Sequence, residues 1–234
     1  MNVPASAAHV DAKGEPLLVA RAVSKSFWRR TGFFSKSAEN RALDDVSLNV
    51  APGEIVGLVG ESGCGKSSLA KVLLGLERAD AGSLQVNGRG IFAPGARTVP
   101  PAQRGIQMIF QDPYGSLNPR MKVSALIGEG LRIQGRLSRS AIMDEVRRHI
   151  ALVGLSEDSL DKYAHQFSGG QRQRLCIARA IIMKPSLLIA DEAASALDVS
   201  VQMQILNLLL DLRDRIGLGI IFISHDMGVI EYLC

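Results

Sequence analysis

Cysteine is scarce in this sequence, long apolar runs and a strong charge imbalance are missing, and each of these features excludes a class of protein. Three cysteines, Cys64, Cys176 and Cys234, are too few for a disulfide framework and lack metal-ligand spacing. No stretch approaches the roughly eighteen consecutive apolar residues of a membrane span. The net charge is only +4, and no basic stripe is interleaved with aromatic residues, so no nucleic-acid partner is predicted. These absences favour a soluble protein in the reducing cytoplasm.

The chain has enough apolar residues for one sizeable core. Hydrophobic residues make up 47% and charged residues 21% of the 234 residues, which is ordinary for a globular domain. Residues 1–16 contain no basic start followed by an apolar run, so they do not have the pattern of a secretory signal. We therefore expect a disordered tail at 1–16 and a single domain at 17–234.

Strand-length apolar runs alternate with helical patterns along most of the chain, which is typical of an α/β fold. Residues 122–166 contain no strand-like run, and they predict an inserted helical subdomain at about 112–166. The predicted strands are 16–27, 42–50, 54–60, 83–88 with its turn, 106–112, 187–191 and 219–224, and the predicted later helices are 66–76, 169–183, 200–216 and 226–234. In helix 200–216, spacings of three and four predict a buried face. That face comprises Val201, Ile205, Leu208, Leu209, Leu212 and Ile216.

A glycine-rich loop provides the first chemical signal. The run GESGCGKS, residues 60–67, matches G-x-x-x-x-G-K-[ST], follows a predicted strand and opens a predicted helix. Glycines let successive backbone N–H groups point into one hollow, and the helix N-terminus adds partial positive charge, so the loop suits phosphates. Lys66 is expected to reach the β- and γ-phosphates, and the Ser67 hydroxyl to bind Mg²⁺. The alternative is a glycine-rich turn with a chance lysine.

Two later strands also end in polar side chains. The strand LLIAD ends at Asp191, a candidate Mg²⁺ ligand, and Glu192 follows it in a position to orient and deprotonate a water molecule. The alternative for this pair is two solvated acids at the start of a loop. His225 stands at the end of another buried strand and is placed to donate a hydrogen bond to a γ-phosphate, although a lone histidine there is commonly structural.

The segment QFSGGQRQR, residues 166–174, is a second glycine turn that leads into a helix. With it, the whole motif set resembles that of ABC transporter ATP-binding subunits, from about residue 17 to the last residue. GESGCGKSS corresponds to Walker A, Gln111 to the Q-loop, FSGGQ to the signature, LLIADE to Walker B, SALD to the D-loop and His225 to the H-loop. The resemblance implies a head-to-tail dimer in which ATP lies between the P-loop of one subunit and the signature of the other. Each domain then needs two phosphate-binding loops, the P-loop for its own nucleotide and the signature for the nucleotide of the partner.

The resemblance also implies a set of site residues. The implied catalytic residues are Lys66, Glu192 and His225, and the implied Mg²⁺ ligands are Ser67, Gln111 and Asp191. The implied ATP-binding residues are Phe27, Gly60, Glu61, Ser62, Gly63, Cys64, Gly65, Lys66, Ser67, Ser68, Gln111, Ser168, Gly169, Gly170, Gln171 and Asp198. Phe27 matches the aromatic residue that stacks on adenine, with Trp28 as the alternative residue and core packing as the alternative role.

Finer matches point to one branch of the family. The runs QDPYGSLNPRM (111–121) and DEAASALDVSVQMQILNLL (191–209) resemble the oligopeptide, dipeptide, nickel and glutathione branch of bacterial importers. Ala193 and Ala194 depart from the Pro-Thr of the general ABC pattern, although alanine at the first position is familiar in this branch. Phe167 replaces the leucine that usually begins the signature.

The resemblance implies an α/β P-loop NTPase with a RecA-like core, an N-terminal antiparallel β portion and an inserted helical subdomain. Its implied function is ATP hydrolysis that powers import of peptides or a related small solute. The implied partners are a second ATP-binding subunit, identical or different, two transmembrane permease subunits and, indirectly, a solute-binding protein. The implied location is the cytoplasmic face of the inner membrane. The alternatives are a soluble ABC ATPase not coupled to transport and a truncated ATP-binding fragment that does not hydrolyse ATP.

The C-terminal end also departs from the family pattern. Family members continue past the H-loop helix with further strands and an extension, so we expect the C-terminal strands of the domain to be missing. The run VIEYLC, residues 229–234, is then expected to leave a group of apolar side chains uncovered.

Overall fold

The structure, a computed structural model, describes residues 15–29, 38–61, 63–95, 99–100 and 104–234. Within these ranges the chain forms two four-stranded sheets with helices around them. The predicted tail lies outside the described residues except for Glu15 and Pro16, both of which are exposed.

The first sheet is antiparallel and is built from the N-terminal part of the chain. It contains β1 (Leu18–Arg29), β2 (Ala38–Val50), β4 (Ala81–Val86) and β5 (Arg89–Phe92), in the order β2-β1-β4-β5. The N-terminal antiparallel portion is therefore confirmed. Strands β1 and β2 extend further toward each other than their apolar patterns predict. The short β5 was missed because it has only four residues and follows a turn.

The second sheet is parallel and forms the centre of the fold. Its strands are β3 (Ile55–Val59), β6 (Ile106–Ile109), β7 (Leu187–Asp191) and β8 (Gly219–Ser224), in the order β3-β8-β7-β6. Every residue of β8 is buried, as expected for a parallel strand covered on both faces. This sheet confirms the P-loop NTPase core, because the loops that follow its strands all emerge at one edge.

Two hydrophobic clusters cover the faces of the parallel sheet. The helices involved are α1 (Lys66–Leu74), α6 (Gly169–Ile181), α7 (Val199–Ile216) and α8 (Met227–Leu233). Leu187 and Ile189 of β7 pack with α1 and the antiparallel sheet, whereas Leu188 and Ala190 pack with α6, α7 and α8. The alternation of side chains along β7 thus contributes to both clusters.

The residues predicted as a helical subdomain carry helices and one isolated bridge, Lys122 to Tyr163, in a range that the structure describes in full. The helices are α2 (Pro113–Ser116), α3 (Val123–Ile127), α4 (Glu129–Gln134) and α5 (Arg139–Leu152), followed by 3-10 turns at Glu157–Asp161 and Ala164–Gln166. Helix α2 was missed because it has only four residues. Asp112 caps it by accepting from the backbone N–H groups of residues 114 and 115.

The burial of side chains corrects two predictions near the C-terminal end, the buried face of helix 200–216 and the uncovered apolar side chains at 229–234. In α7, Leu206 is buried and Ile216 is exposed, because the helix ends there and Gly217 follows with a φ of 65°. The expectation of a group of uncovered apolar side chains after β8 is wrong for Val229 and Leu233. Both are buried, because α8 packs against β3 and β8.

Candidate active site

The predicted phosphate loop connects β3 to α1. Gly63 and Gly65 have φ values of 84° and 105°, which side chains other than glycine rarely adopt. A β-carbon on Gly65 would also overlap the carbonyl oxygen of Ala42, so the loop lies directly against β2. Gly65 is the N-cap residue of α1 and offers no capping side chain, which leaves the first-turn N–H groups available to an anion. Ser62 lies outside the described residues.

The Lys66 ammonium group folds back over this loop. Its Nζ donates to the carbonyl oxygens of Gly60 at 2.5 Å and Glu61 at 2.9 Å, and it lies 3.7 Å from Cys64 Sγ. Both oxygen acceptors are neutral, so charged phosphate oxygens would replace them with stronger hydrogen bonds. Glu61 and Cys64 are exposed, whereas Ser68, the third residue of α1, is half-buried.

The P-loop meets the end of β7 at Ser67 and Asp191. The Ser67 hydroxyl donates to Asp191 Oδ2 at 3.3 Å, across a sequence separation of 124 residues. Burial raises the pKa of the Asp191 carboxyl group, and the hydrogen bond from Ser67 partly opposes this shift. A carboxylate held in such a place is stabilised by a nearby cation.

These two oxygens suit Mg²⁺, which takes oxygen ligands and commonly uses one or two protein groups, with water and phosphate oxygens completing the shell. Among the described residues, no group of three or more histidine, cysteine, aspartate or glutamate side chains is arranged to hold a metal ion. The Ser67–Asp191 pair therefore fits an ion that arrives with a nucleotide better than one held by protein ligands alone.

Glu192 lies between the side chains that follow the two strands next to β7. Its Oε2 accepts from Gln111 Nε2 at 2.7 Å, and its Oε1 lies 3.2 Å from His225 Nδ1. The backbone of Glu192 has a φ of 47°, and its N–H donates to the Ile223 carbonyl at 2.9 Å. Gln111 thus contacts the predicted general base directly, a contact that its predicted roles in ATP and Mg²⁺ binding did not include.

The signature segment begins α6. Ser168 is the N-cap residue and accepts from the Gln171 N–H, while Gln171 Oε1 accepts from the Ser168 N–H at 3.0 Å. This reciprocal pair fixes the start of the helix, where Gly169 and Gly170 follow and where the helix dipole favours negative charge. Among the described residues, no hydrogen bond or ion pair joins this segment to the P-loop.

Three other predicted residues, Phe27, Trp28 and Asp198, lie outside the group that Glu192 forms with Gln111 and His225. Phe27 is half-buried, with the Lys25 ammonium 5.4 Å from its ring centroid, whereas Trp28 is 66% exposed. Asp198 caps α7 by accepting from the Val201 N–H at 3.0 Å, and this bond lowers the pKa of its carboxyl group. The structure therefore gives Asp198 a helix-capping role beside the nucleotide role that the resemblance implies.

Sequence reasoning placed Ser195 only within the D-loop and missed its contact with Glu192. The Ser195 hydroxyl donates to the Glu192 carbonyl oxygen at 3.0 Å, and its N–H donates to the same oxygen at 3.1 Å. The signal was present in the sequence, because a serine three residues after the carboxylate has the spacing of a β-turn.

Comparison with known sequences identifies the family. Residues 43–195 match the sequence profile of the ABC transporter family. The chain belongs to the ABC transporter family. It is 45% identical over 219 residues to a Brucella ovis protein provisionally named as a peptide import ATP-binding protein, covering 94% of this chain and 67% of that protein. It is 47% identical to the glutathione import ATP-binding protein GsiA of Salmonella paratyphi A, covering 94% of this chain but 35% of GsiA.

Solved structures of ABC ATPase domains share the fold of this ABC family member. CbiO1 from Clostridium perfringens, part of the ABC transporter complex CbiONQ, superposes with a TM-score of 0.77 at 24% identity, over 94% of this chain and 83% of CbiO1. The ATP-binding cassette MJ0796, a dimer bound to ADP and Pi, gives 0.75 at 25% identity, over 91% and 89%. The chain is thus an ABC ATPase domain. None of the helices in the described ranges has the length and apolar character needed to cross a membrane.

Proposed function

We propose that this chain is the ATP-hydrolysing subunit of an importer for peptides or a related small solute. The named relatives in Brucella and Salmonella, at 45% and 47% identity, support the import of such molecules. We propose that the subunit works with a second ATP-binding subunit and two permease subunits at the cytoplasmic face of the inner membrane. A solute-binding protein would act with it indirectly.

The observation that carries the proposal is the hydrogen bond between Ser67 and Asp191. It brings the hydroxyl after the phosphate loop and the carboxylate at the end of β7 to one point. Mg²⁺ bound there would neutralise part of the charge on the phosphates. Ser67 and Asp191 would hold it, with Gln111 as a further ligand once its side chain leaves Glu192.

Lys66, Glu192 and His225 would each have a separate role in ATP hydrolysis. Lys66 would exchange the carbonyls of its own loop for the β- and γ-phosphate oxygens of ATP. Glu192 would accept a proton from the water that attacks the γ-phosphorus in line with the leaving oxygen. His225, beside Glu192, would donate to a γ-phosphate oxygen as negative charge develops on it.

The signature would complete the site of a partner subunit. Ser168 and the N–H groups of Gly169 and Gly170 stand at the N-terminus of α6, and they would bind the γ-phosphate of the nucleotide held by the partner's P-loop. Phe27 would stack on the adenine ring, with Trp28 as the alternative. Asp198, at the start of α7, would lie at the same dimer interface.

The direct test compares Glu192→Gln with Lys66→Ala. Glu192→Gln should retain ATP binding and lose turnover by a factor of about 10² or more, because Glu192 acts only on the attacking water. Lys66→Ala should lose nucleotide affinity, because Lys66 binds phosphates in the ground state. Phosphate release and binding of a fluorescent ATP analogue measure the two properties. Parental turnover in Glu192→Gln would contradict the role of Glu192.

A second measurement tests coupling to import. When the chain is expressed together with its permease and solute-binding partners, addition of the transported solute should stimulate its ATPase activity. An activity that is independent of these partners would favour a soluble ATPase.

A further inference from the structure

We infer that Ser195 is a positioning residue that holds Glu192 in its catalytic orientation, an inference that rests on the role proposed for Glu192. The Ser195 hydroxyl and N–H both donate to the Glu192 carbonyl oxygen, at 3.0 Å and 3.1 Å. The hydroxyl does not touch the carboxylate. It acts on the carboxylate through the backbone.

The Glu192 backbone needs such support because of its conformation. A φ of 47° is sparsely populated for any residue other than glycine, and it persists only where neighbouring groups impose it. β7 ends one residue earlier, at Asp191, so the strand pairing does not extend over Glu192. The Glu192 N–H donates to Ile223, and the two Ser195 donors fix the carbonyl on the other side.

The backbone conformation in turn sets where the carboxylate lies. Glu192 presents Oε2 to Gln111 and Oε1 to His225, which follow strands on opposite sides of β7. Rotation of the peptide groups around Glu192 would change the direction of its Cα–Cβ bond. The carboxylate would then move away from both neighbours and from the water that it must deprotonate.

Because residue 193 is alanine, the Glu192 backbone depends more strongly on the Ser195 hydroxyl for its restraint. Residues 192–195 form a β-turn closed by the bond from the Ser195 N–H to Glu192, and Ala193 is its first central residue. Proline at that position would restrict φ to about −65°, whereas alanine leaves it free. The second bond from Ser195 therefore supplies a restraint that the side chain at 193 does not.

The experiment compares Ser195→Ala, which removes the hydroxyl, with Ser195→Thr, which keeps it. In the full chain, Ser195→Ala should lower kcat by about tenfold while KM for ATP and the affinity for a fluorescent ATP analogue stay unchanged, because only the general base is displaced. Ser195→Thr should retain a kcat close to the parental value. Ser140→Ala, which removes an exposed hydroxyl in α5, is the matched control and should leave both constants unchanged.

The outcomes separate this inference from the proposed function. A parental kcat in Ser195→Ala, or a loss of nucleotide affinity equal to the loss of kcat, overturns the positioning role. So does a Ser195→Thr enzyme as slow as Ser195→Ala. If instead the parental chain and Glu192→Gln hydrolyse ATP equally, the role of Glu192 fails first, and the inference fails with it.

Discussion

Gly170 in the signature helix lies against Val201 of α7 so closely that a β-carbon on Gly170 would overlap Val201 Cγ1. A valine in a helix is held largely in one χ1 rotamer, so it cannot easily turn away. We therefore expect Gly170→Ala to push α6 and α7 apart and to lower the free energy of unfolding by about 1–3 kcal/mol. Urea denaturation measures this loss.

Two further variants make the Gly170 prediction specific. Val201→Ala in the Gly170→Ala background removes the overlapping methyl groups and should restore most of the lost stability. Gly90→Ala is the matched control, since an added β-carbon there would meet nothing within 4 Å. Equal losses in Gly170→Ala and Gly90→Ala would contradict the contact as the cause.

The two-loop arrangement predicts complementation between damaged subunits. A mixture of Ser168→Arg and Lys66→Ala chains forms heterodimers with one intact composite site and one site that carries both changes. Each variant alone has two damaged sites. The mixture should therefore hydrolyse ATP faster than either variant. No gain at concentrations where the parental chain dimerises would exclude the sandwiched nucleotide.

Cys64 and Cys176 should differ in reactivity toward a maleimide. Cys64 is exposed in the phosphate loop, whereas burial raises the pKa of the Cys176 thiol to about 12. At about pH 7.5, Cys64 should be labelled rapidly and Cys176 spared in the folded protein. ATP with Mg²⁺ should slow labelling of Cys64, because the phosphates would occupy its loop. Mass spectrometry of the labelled peptides reads both results, and rapid labelling in saturating ATP would be inconsistent with phosphate binding there.

His149 should make stability depend on pH. Burial lowers the pKa of His149 below its ordinary value of 6.5, although hydrogen bonding to the Glu145 backbone and the Glu145 charge oppose the shift; Arg148 and Lys184 add to it. The unfolded chain therefore binds the proton more tightly than the folded chain. The stability contributed by neutral His149 is complete above pH 6.5 and is lost as pH falls through the lower, folded-state pKa.

Urea denaturation at several pH values between about 8 and 5 tests this titration. The free energy of unfolding should fall more steeply with decreasing pH in the parental chain than in His149→Gln. His165→Gln, at an exposed histidine, controls for the histidine-to-glutamine change itself. Identical slopes in the parental chain and His149→Gln would show that His149 does not titrate differently in the folded and unfolded chains.

The sequence was sufficient for the central strands but not for the edges of the fold. β7 and β8 were predicted at their observed bounds, because continuous apolar runs of strand length have few other interpretations. β5 and α2 have four residues each, too few to show a period. The burial of Leu233 could not be predicted either, because it depends on the contact of α8 with β3, an interaction between distant segments.

The same division applies to the candidate site. The motifs located Lys66 at the start of α1, Asp191 at the end of β7 and Glu192 directly after it, because the turn chemistry and strand ends are local features. The contacts of Glu192 with Gln111 and with His225 are not local. They arise from the order of strands in the sheet, which no motif in the chain encodes.

The parallel sheet sets the spacing between the side chains of the candidate site. Along its edge they follow the strand order, with Lys66 after β3, His225 after β8, Glu192 after β7 and Gln111 after β6, rather than their order in the chain. Slipping β7 by one residue would displace Glu192 by about 3.3 Å and exchange the two faces of the strand. Lengthening a connection between strands leaves the spacing along the edge intact, whereas deleting one residue within β7 removes the alignment of Glu192 with Gln111 and His225.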